Sequence, residues 1–340
     1  MKTKAVLSPA DYPCSIGIEY TMIPKGINPD IADTAVNDYQ LEKSLLKVAE
    51  RIDRKYKGKP TWFKLIYGEM QNFGKIERGA VEYSSQPFTN VAQVKQFYDY
   101  VSKLFAYGEK ISKYKFVANT VSKGVYVEGG GGHIHVGVDF PNEPNKTVAV
   151  RRNIAVFMLS NPIIQWVMAD WADDDTLTST YFNALEKQLS CKISQFSSQL
   201  IGSHFESYSS GWGLGPVQIR TNKFCEGKSG IPTVEFRCLA APVSYQHLLD
   251  NIDLCCAIYK HCVGLTNDSG NEIYELCYKN VKDVEKYYQE KVKDGYEKEW
   301  EFAVTNLGLD YKRYKPYLKN FKLRQDHGVF FSYDFAGLED

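Results

Sequence analysis

Five short segments of this chain share one pattern, an apolar stretch of strand length with one or two ionisable residues set into it. They are "GIEYTM" around Glu19, "GAVEYSSQPF" around Glu82, "GGGGHIHVGV" around His133 and His135, "VQIRTNKF" around Arg220, and "TVEFRCLAAP" around Glu235 and Arg237. Side chains of a strand alternate between its two faces, so such segments bury one face and present the ionisable group on the other. In "CSIGIEYTMI", Ile16, Ile18 and Tyr20 fall on one face and Gly17, Glu19 and Thr21 on the opposite one. A single strand glutamate reads most simply as solvent-facing. Several such acids with a His-x-His pair and mid-strand arginines are harder to dismiss, because a carboxylate in apolar surroundings is expensive unless it is paired or bound to a cation.

Helical periodicity surrounds these segments. Leu41, Leu45, Val48 and Ile52 predict a helix from about Asp38 to Tyr56, and Val94, Phe97, Val101, Leu104 and Phe105 another over roughly Val91 to Lys113. "WFKLIYGEM" reads as a further strand, and "KFVANTVSKGVYV" with "HIHVGVDF" as a strand pair joined across the glycines. The segment from about Thr147 to Ser210 reads as helical, broken at Pro162, with the acidic run Asp173 to Asp175 in a solvated turn. From Tyr245 onward the chain reads as helix, rich in Lys, Glu and Tyr after about Asn267. The expected class is α+β, with helices on one face of an antiparallel sheet. The expected organisation is a main domain over 1–265 with a helical insertion at about 147–210, followed by a helical C-terminal extension over 266–340.

Composition narrows the partners. Lys plus Arg and Asp plus Glu number 41 each, so the long-range field that draws a protein onto nucleic acid or anionic lipid is missing overall. Equal charges in the C-terminal part favour a solvated helix face over a nucleic-acid surface. The eight cysteines form no Cys-x-x-Cys pair, which suits reduced thiols. No apolar run suits a signal peptide, and "IAVFMLSNPIIQWVMA", at 16 residues, falls short of the ~20 a membrane helix needs. The expectation is a soluble, cytoplasmic protein.

His133 and His135 share a face and could reach one centre, although a strand His-x-His is often a packed pair. The preceding glycines suit either a hairpin turn or a loop that a phosphate approaches closely, but match neither a P-loop nor a dinucleotide fingerprint. A face gathering carboxylates, imidazoles and guanidinium groups suits divalent cations held with an anionic group, since arginine grips phosphate with two parallel hydrogen bonds.

In their order along the chain, "GIEYTM", "GAVEYSSQPF", "GGGGHIHVGV" and "TVEFRCLAAP" resemble the signature segments of the amidoligase branch of the glutamine synthetase superfamily, the ATP-dependent carboxylate-amine ligases. The resemblance spans about Ser15 to Pro242. It implies an antiparallel, partly closed sheet lined with metal ligands, binding ATP with Mg²⁺ or Mn²⁺ and joining a carboxylate to an amine through an acyl phosphate. Carried over by motif, it implies Glu19, His133 and Glu235 as ligands of one metal, with Glu69 and Glu82 at another. Arg220 and Arg237 match phosphate-binding and catalytic positions, His135 would touch the phosphate or the acyl intermediate, and Gly131 and Gly132 would let the nucleotide pass closely. Thr21 departs from the pattern by standing where a second glutamate is usual, which weakens the Glu69/Glu82 site. The substrates implied are a small or peptide-like carboxylate and an amine acceptor. The family is frequent in bacteriophages, where a modified nucleobase, the one route to a nucleic-acid partner, or a cell-wall component is a candidate acceptor. A degenerate binding module and a metal-dependent hydrolase using His133 and His135 are the alternatives.

Overall fold

The computed structural model describes residues 11–25, 75–77, 80–85, 87–112, 115–117, 132–168, 217–220, 233–236, 238–239, 242–265 and 288–319. The helix expected from Asp38 to Tyr56, the strand "WFKLIYGEM" and the acidic run Asp173 to Asp175 lie outside these residues.

The strands are β1 (Asp11–Lys25), β2 (Lys75–Glu77), β3 (Ala80–Ser84), β4 (Phe88–Asn90), β5 (Lys115–Val117), β6 (Gly132–Gly137), β7 (Val217–Arg220) and β8 (Thr233–Phe236). They form one sheet in the order β2-β3-β1-β6-β8-β7, with β4 and β5 also paired to β1. Every pairing is antiparallel. Together with the helices this is an α+β architecture. Among the described residues the path is open, with no pairing between its ends β2 and β7, where a partly closed sheet was expected.

One strand pairing departs from the sequence reading. The segment "KFVANTVSKGVYV" was expected to pair with "HIHVGVDF"; of it only β5 lies within the described residues, and β5 pairs with β1, while β6 is inserted between β1 and β8. The cause lies in the length of β1: it continues past Tyr20, the last partner of β6, and offers Ile23 to Lys25 to β5.

Alternation separates the two faces. Ile18, Ile134 and Phe236 form one cross-strand row and Ile16, Val136 and Val234 the next, all with at most 1% of their surface exposed. Helices cover this face. They are α1 (Val91–Ser112), α2 (Pro144–Ser160), α3 (Pro162–Met168) and α4 (Tyr245–Gly264), the last packing on β1 and β6. α1 begins where "NVAQ" closes a reciprocal cap: Asn90 Oδ1 accepts from the Gln93 N–H at 3.1 Å, and Gln93 Oε1 accepts from the Asn90 N–H at 3.3 Å. α2 ends at Asn161, whose side chain donates to Phe157 O at 2.8 Å, and Pro162 opens α3. None of the described helices is long and apolar enough to cross a membrane.

The C-terminal described segment carries α5 (Tyr296–Asn306) and α6 (Tyr311–Tyr314). Gly308, at φ +72°, ends α5 in the left-handed conformation, and Leu309 N–H reaches back to Val304 O at 3.1 Å. This segment is fastened to α4. Trp300 donates to Tyr314 O at 3.1 Å, Tyr314 Oη to Asp250 O at 2.8 Å, and Tyr317 Oη to Asp250 Oδ2 at 2.6 Å. Arg313 pairs with Asp250 and, at 2.7 Å, with Asp253.

His247 lies on the same junction, only 7% exposed, accepting from Val243 N–H at 3.3 Å with its ring 5.1 Å from that of Tyr317. Burial lowers its pKa from 6.5 to about 4; Asp250 opposes this and Lys319 adds to it. The unfolded chain therefore takes up this proton first on acidification. The stability held by neutral His247 is complete above about pH 6.5 and drains away as pH falls towards 4. The full span is about 3 kcal/mol. We predict that His247→Phe gives a shallower loss of stability between pH 7 and 4 than the native chain, measured by denaturant unfolding. Parallel profiles would show that His247 is not the group responsible.

Candidate metal centre

Sheet register assembles the polar face. Glu19 on β1 is opposite His133 on β6, and His135 is opposite both Gly17 on β1 and Glu235 on β8. Directly opposed residues of an antiparallel ladder project to the same side. Glu19, His133, His135, Thr233 and Glu235 thus share the face away from the isoleucine and valine rows.

His133 Nδ1 lies 3.1 Å from Glu19 Oε2 and 3.2 Å from Glu235 Oε1. Glu19 is held ionised and only accepts, so Nδ1 donates to it while also standing beside Glu235. His135 Nε2 is 3.1 Å from Glu19 Oε1, yet out of line for a hydrogen bond, and its Nδ1 is 3.3 Å from Thr233 Oγ1. Glu235 is wholly buried. Burial alone would raise the Glu19 carboxyl, but the hydrogen bond it accepts from His133, foremost among the opposing effects, holds the acid ionised, well below the usual carboxylate range. Gly17 makes the packing possible, since a Cβ there would stand 3.2 Å from His135 Cβ.

One ligand atom each from Glu19, His135 and Glu235 lies within 4.8 Å of the others. Donors about 2.0–2.2 Å from a common ion stand at most about 4.4 Å apart, so small side-chain adjustments let this set close on a small divalent cation. Two carboxylates and one imidazole make up the set, and Nε2 of that imidazole is buried without a hydrogen-bond partner. The residues fit such an ion.

The imidazole in this group is His135, where the sequence reading expected His133. Of the other expected residues, Glu82 sits on β3 opposite Thr21, and Arg220 sits on β7 opposite Thr233. Gly132 opens β6 and donates its N–H to Leu239 O at 3.1 Å. Glu69, Gly131 and Arg237 lie outside the described residues. Sequence reasoning passed over Thr233 and Gly17. The signal for Thr233 was its position two residues before Glu235 on the same face; for Gly17 it was a residue without a side chain inside an apolar strand.

No family model matches the chain, and no curated protein matches it. Among solved structures, it is similar to a complex between the prokaryotic ubiquitin-like protein Pup and its ligase PafA, at 12% identity and a TM-score of 0.38, covering 96% of this chain and 66% of that one. It is also similar to a glutamine synthase homolog, at 11% identity and a TM-score of 0.36, covering 93% of this chain and 66% of that one. The chain thus spans about two thirds of the length of each.

The centre makes a direct prediction. Glu235→Gln keeps an oxygen for the His133 N–H but removes a buried charge, so the metal-free variant should melt no lower than the native protein. Mn²⁺ at a hundredfold excess over its dissociation constant should stabilise the native protein by about 2.7 kcal/mol and Glu235→Gln hardly at all. Melting curves with and without Mn²⁺ check this. An equal Mn²⁺ shift in both proteins would remove Glu235 from the centre.

Proposed function

We propose that this polar face is the active centre of an ATP-dependent carboxylate-amine ligase with a glutamine-synthetase-like sheet. The observation that carries the reading is the convergence of Glu19, His135 and Glu235 from three adjacent strands, with donor atoms within 4.8 Å of one another. The order of the motifs along the chain supports it independently. The reading covers 1–265 as the ligase unit, with 147–210 as its insertion and 266–340 as an appended helical part.

In this reading Glu19, His135 and Glu235 hold a divalent cation, Mg²⁺ or Mn²⁺, and His133 keeps both carboxylates aimed through its Nδ1–H. The bound cation neutralises charge on the phosphate oxygens of ATP. Glu82, with Glu69, serves a second cation. Arg220 and Arg237 grip the γ-phosphoryl group, whose bond to the leaving ADP breaks as a bond to the substrate carboxylate forms. An amine then attacks the acyl carbon, loses a proton and displaces phosphate, leaving an amide. The protein's part is mostly positioning and charge neutralisation.

Hydroxylamine provides a test that does not require the true amine. With ATP, Mn²⁺ and a panel of amino acids and dicarboxylates, the protein should release ADP and phosphate in step with a hydroxamate. Arg237→Lys should lower turnover at least tenfold with a smaller change in nucleotide binding, because lysine keeps the charge and loses the planar fork. ADP release with no hydroxamate from any carboxylate would count against the ligase, and no ADP at saturating Mn²⁺ would favour a binding module. Both imidazoles in the cluster leave one rival, a metal-dependent hydrolase, whose turnover would need no ATP.

A further inference from the structure

We propose that Thr233 is a positioning residue for the metal centre: its hydroxyl accepts the Nδ1–H of His135 and so turns the unprotonated Nε2 toward the carboxylates of Glu19 and Glu235. This rests on the reading of His135 as a ligand. Three observations support it. Nδ1 of His135 is 3.3 Å from Thr233 Oγ1. Nε2 is buried, 3.1 Å from Glu19 Oε1, and forms no hydrogen bond. On the other flank, Gly17 presents no side chain to His135, whose Cβ would stand 3.2 Å from a Cβ added there.

These features point the same way. A neutral imidazole carries one proton, so the nitrogen that donates decides which nitrogen is left to bind a cation. An acceptor at Nδ1 leaves the lone pair on Nε2, the atom 3.1 Å from Glu19 Oε1. Ring nitrogens of metal-bound histidines are commonly held by a partner of this kind, and losing it weakens metal affinity by roughly 10–100-fold. Thr233 and Glu235 lie two apart on β8, so one strand supplies both a ligand and the group that orients the ligand opposite it.

Thr233→Val preserves shape and removes the hydroxyl, whereas Thr233→Ser preserves the hydroxyl and removes the methyl. Mn²⁺ binding is measured by calorimetry on the full chain without nucleotide, and the His135 ring is read by nitrogen-15 NMR in the Mg²⁺-loaded protein. Thr233→Val should bind Mn²⁺ at least tenfold more weakly, Thr233→Ser close to the native value, and the native ring should carry its proton on Nδ1. Equal Mn²⁺ affinity in all three proteins overturns the inference, as does equal weakening in both variants, which would assign the effect to the methyl group. A native His135 protonated on Nε2 overturns it as well. Native protein that binds no Mn²⁺ instead defeats the metal reading itself, so the two failures are distinct.

Discussion

The structure is organised around two carboxylates that the fold cannot leave to themselves. Glu235 is fully buried on the central sheet, and Glu19 approaches it from two strands away. Desolvating an isolated ion costs several kcal/mol even after relaxation. Between them stands His133, whose Nδ1 lies 3.1 and 3.2 Å from the two acids. That N–H stands between one wholly buried carboxylate and one half-buried one. A small dication in contact with both would be a stronger partner, and one nitrogen of His135 lies within reach of the same point.

A face that gathers two carboxylates is best held by a well-packed foundation beneath it, since like charges repel. The opposite face supplies that foundation in two continuous apolar rows across β1, β6 and β8, roofed by α4. α4 is fixed in turn from its far side, where Asp250 gathers Arg313, Tyr317 and Gln246 while Tyr314 bonds its carbonyl. Residues far along the chain therefore bear on the sheet through α4, and α5 also packs against α3. Trp300 and Tyr314, both fully buried, form the inner part of this fastening.

Much of this was legible because local periodicity reports directly on faces. The alternation in "CSIGIEYTMI" marks Ile16 and Ile18 as interior, and both are buried. The extent of α1 follows from apolar spacing that buries Val94, Phe97 and Val101. Strand neighbours were not legible in the same way. A period of two identifies a strand and its wet face but carries no information on which strand lies beside it, so β5 was paired with β6 when the long β1 claims it. The roles of Thr233 and Gly17 were hidden for a related reason. Each acts on His135 from another strand, and neither stands near it in sequence.

The same limit bears on the two histidines. His133 and His135 are two apart, so both meet the polar face, and spacing cannot rank them as ligands. Register separates them. His133 falls opposite Glu19 and close to Glu235, which spends its Nδ1 proton on the acids and suits it to aim them. His135 falls opposite Gly17, where the absent side chain lets its ring settle against the sheet, and Thr233 occupies the nitrogen that points away from the acids. Two chemically identical side chains on one face are thereby given different work by what stands across the strand from each. A His-x-His motif in a sheet of this kind is best read together with the residues its register brings opposite it, since those decide which nitrogen is left for a cation.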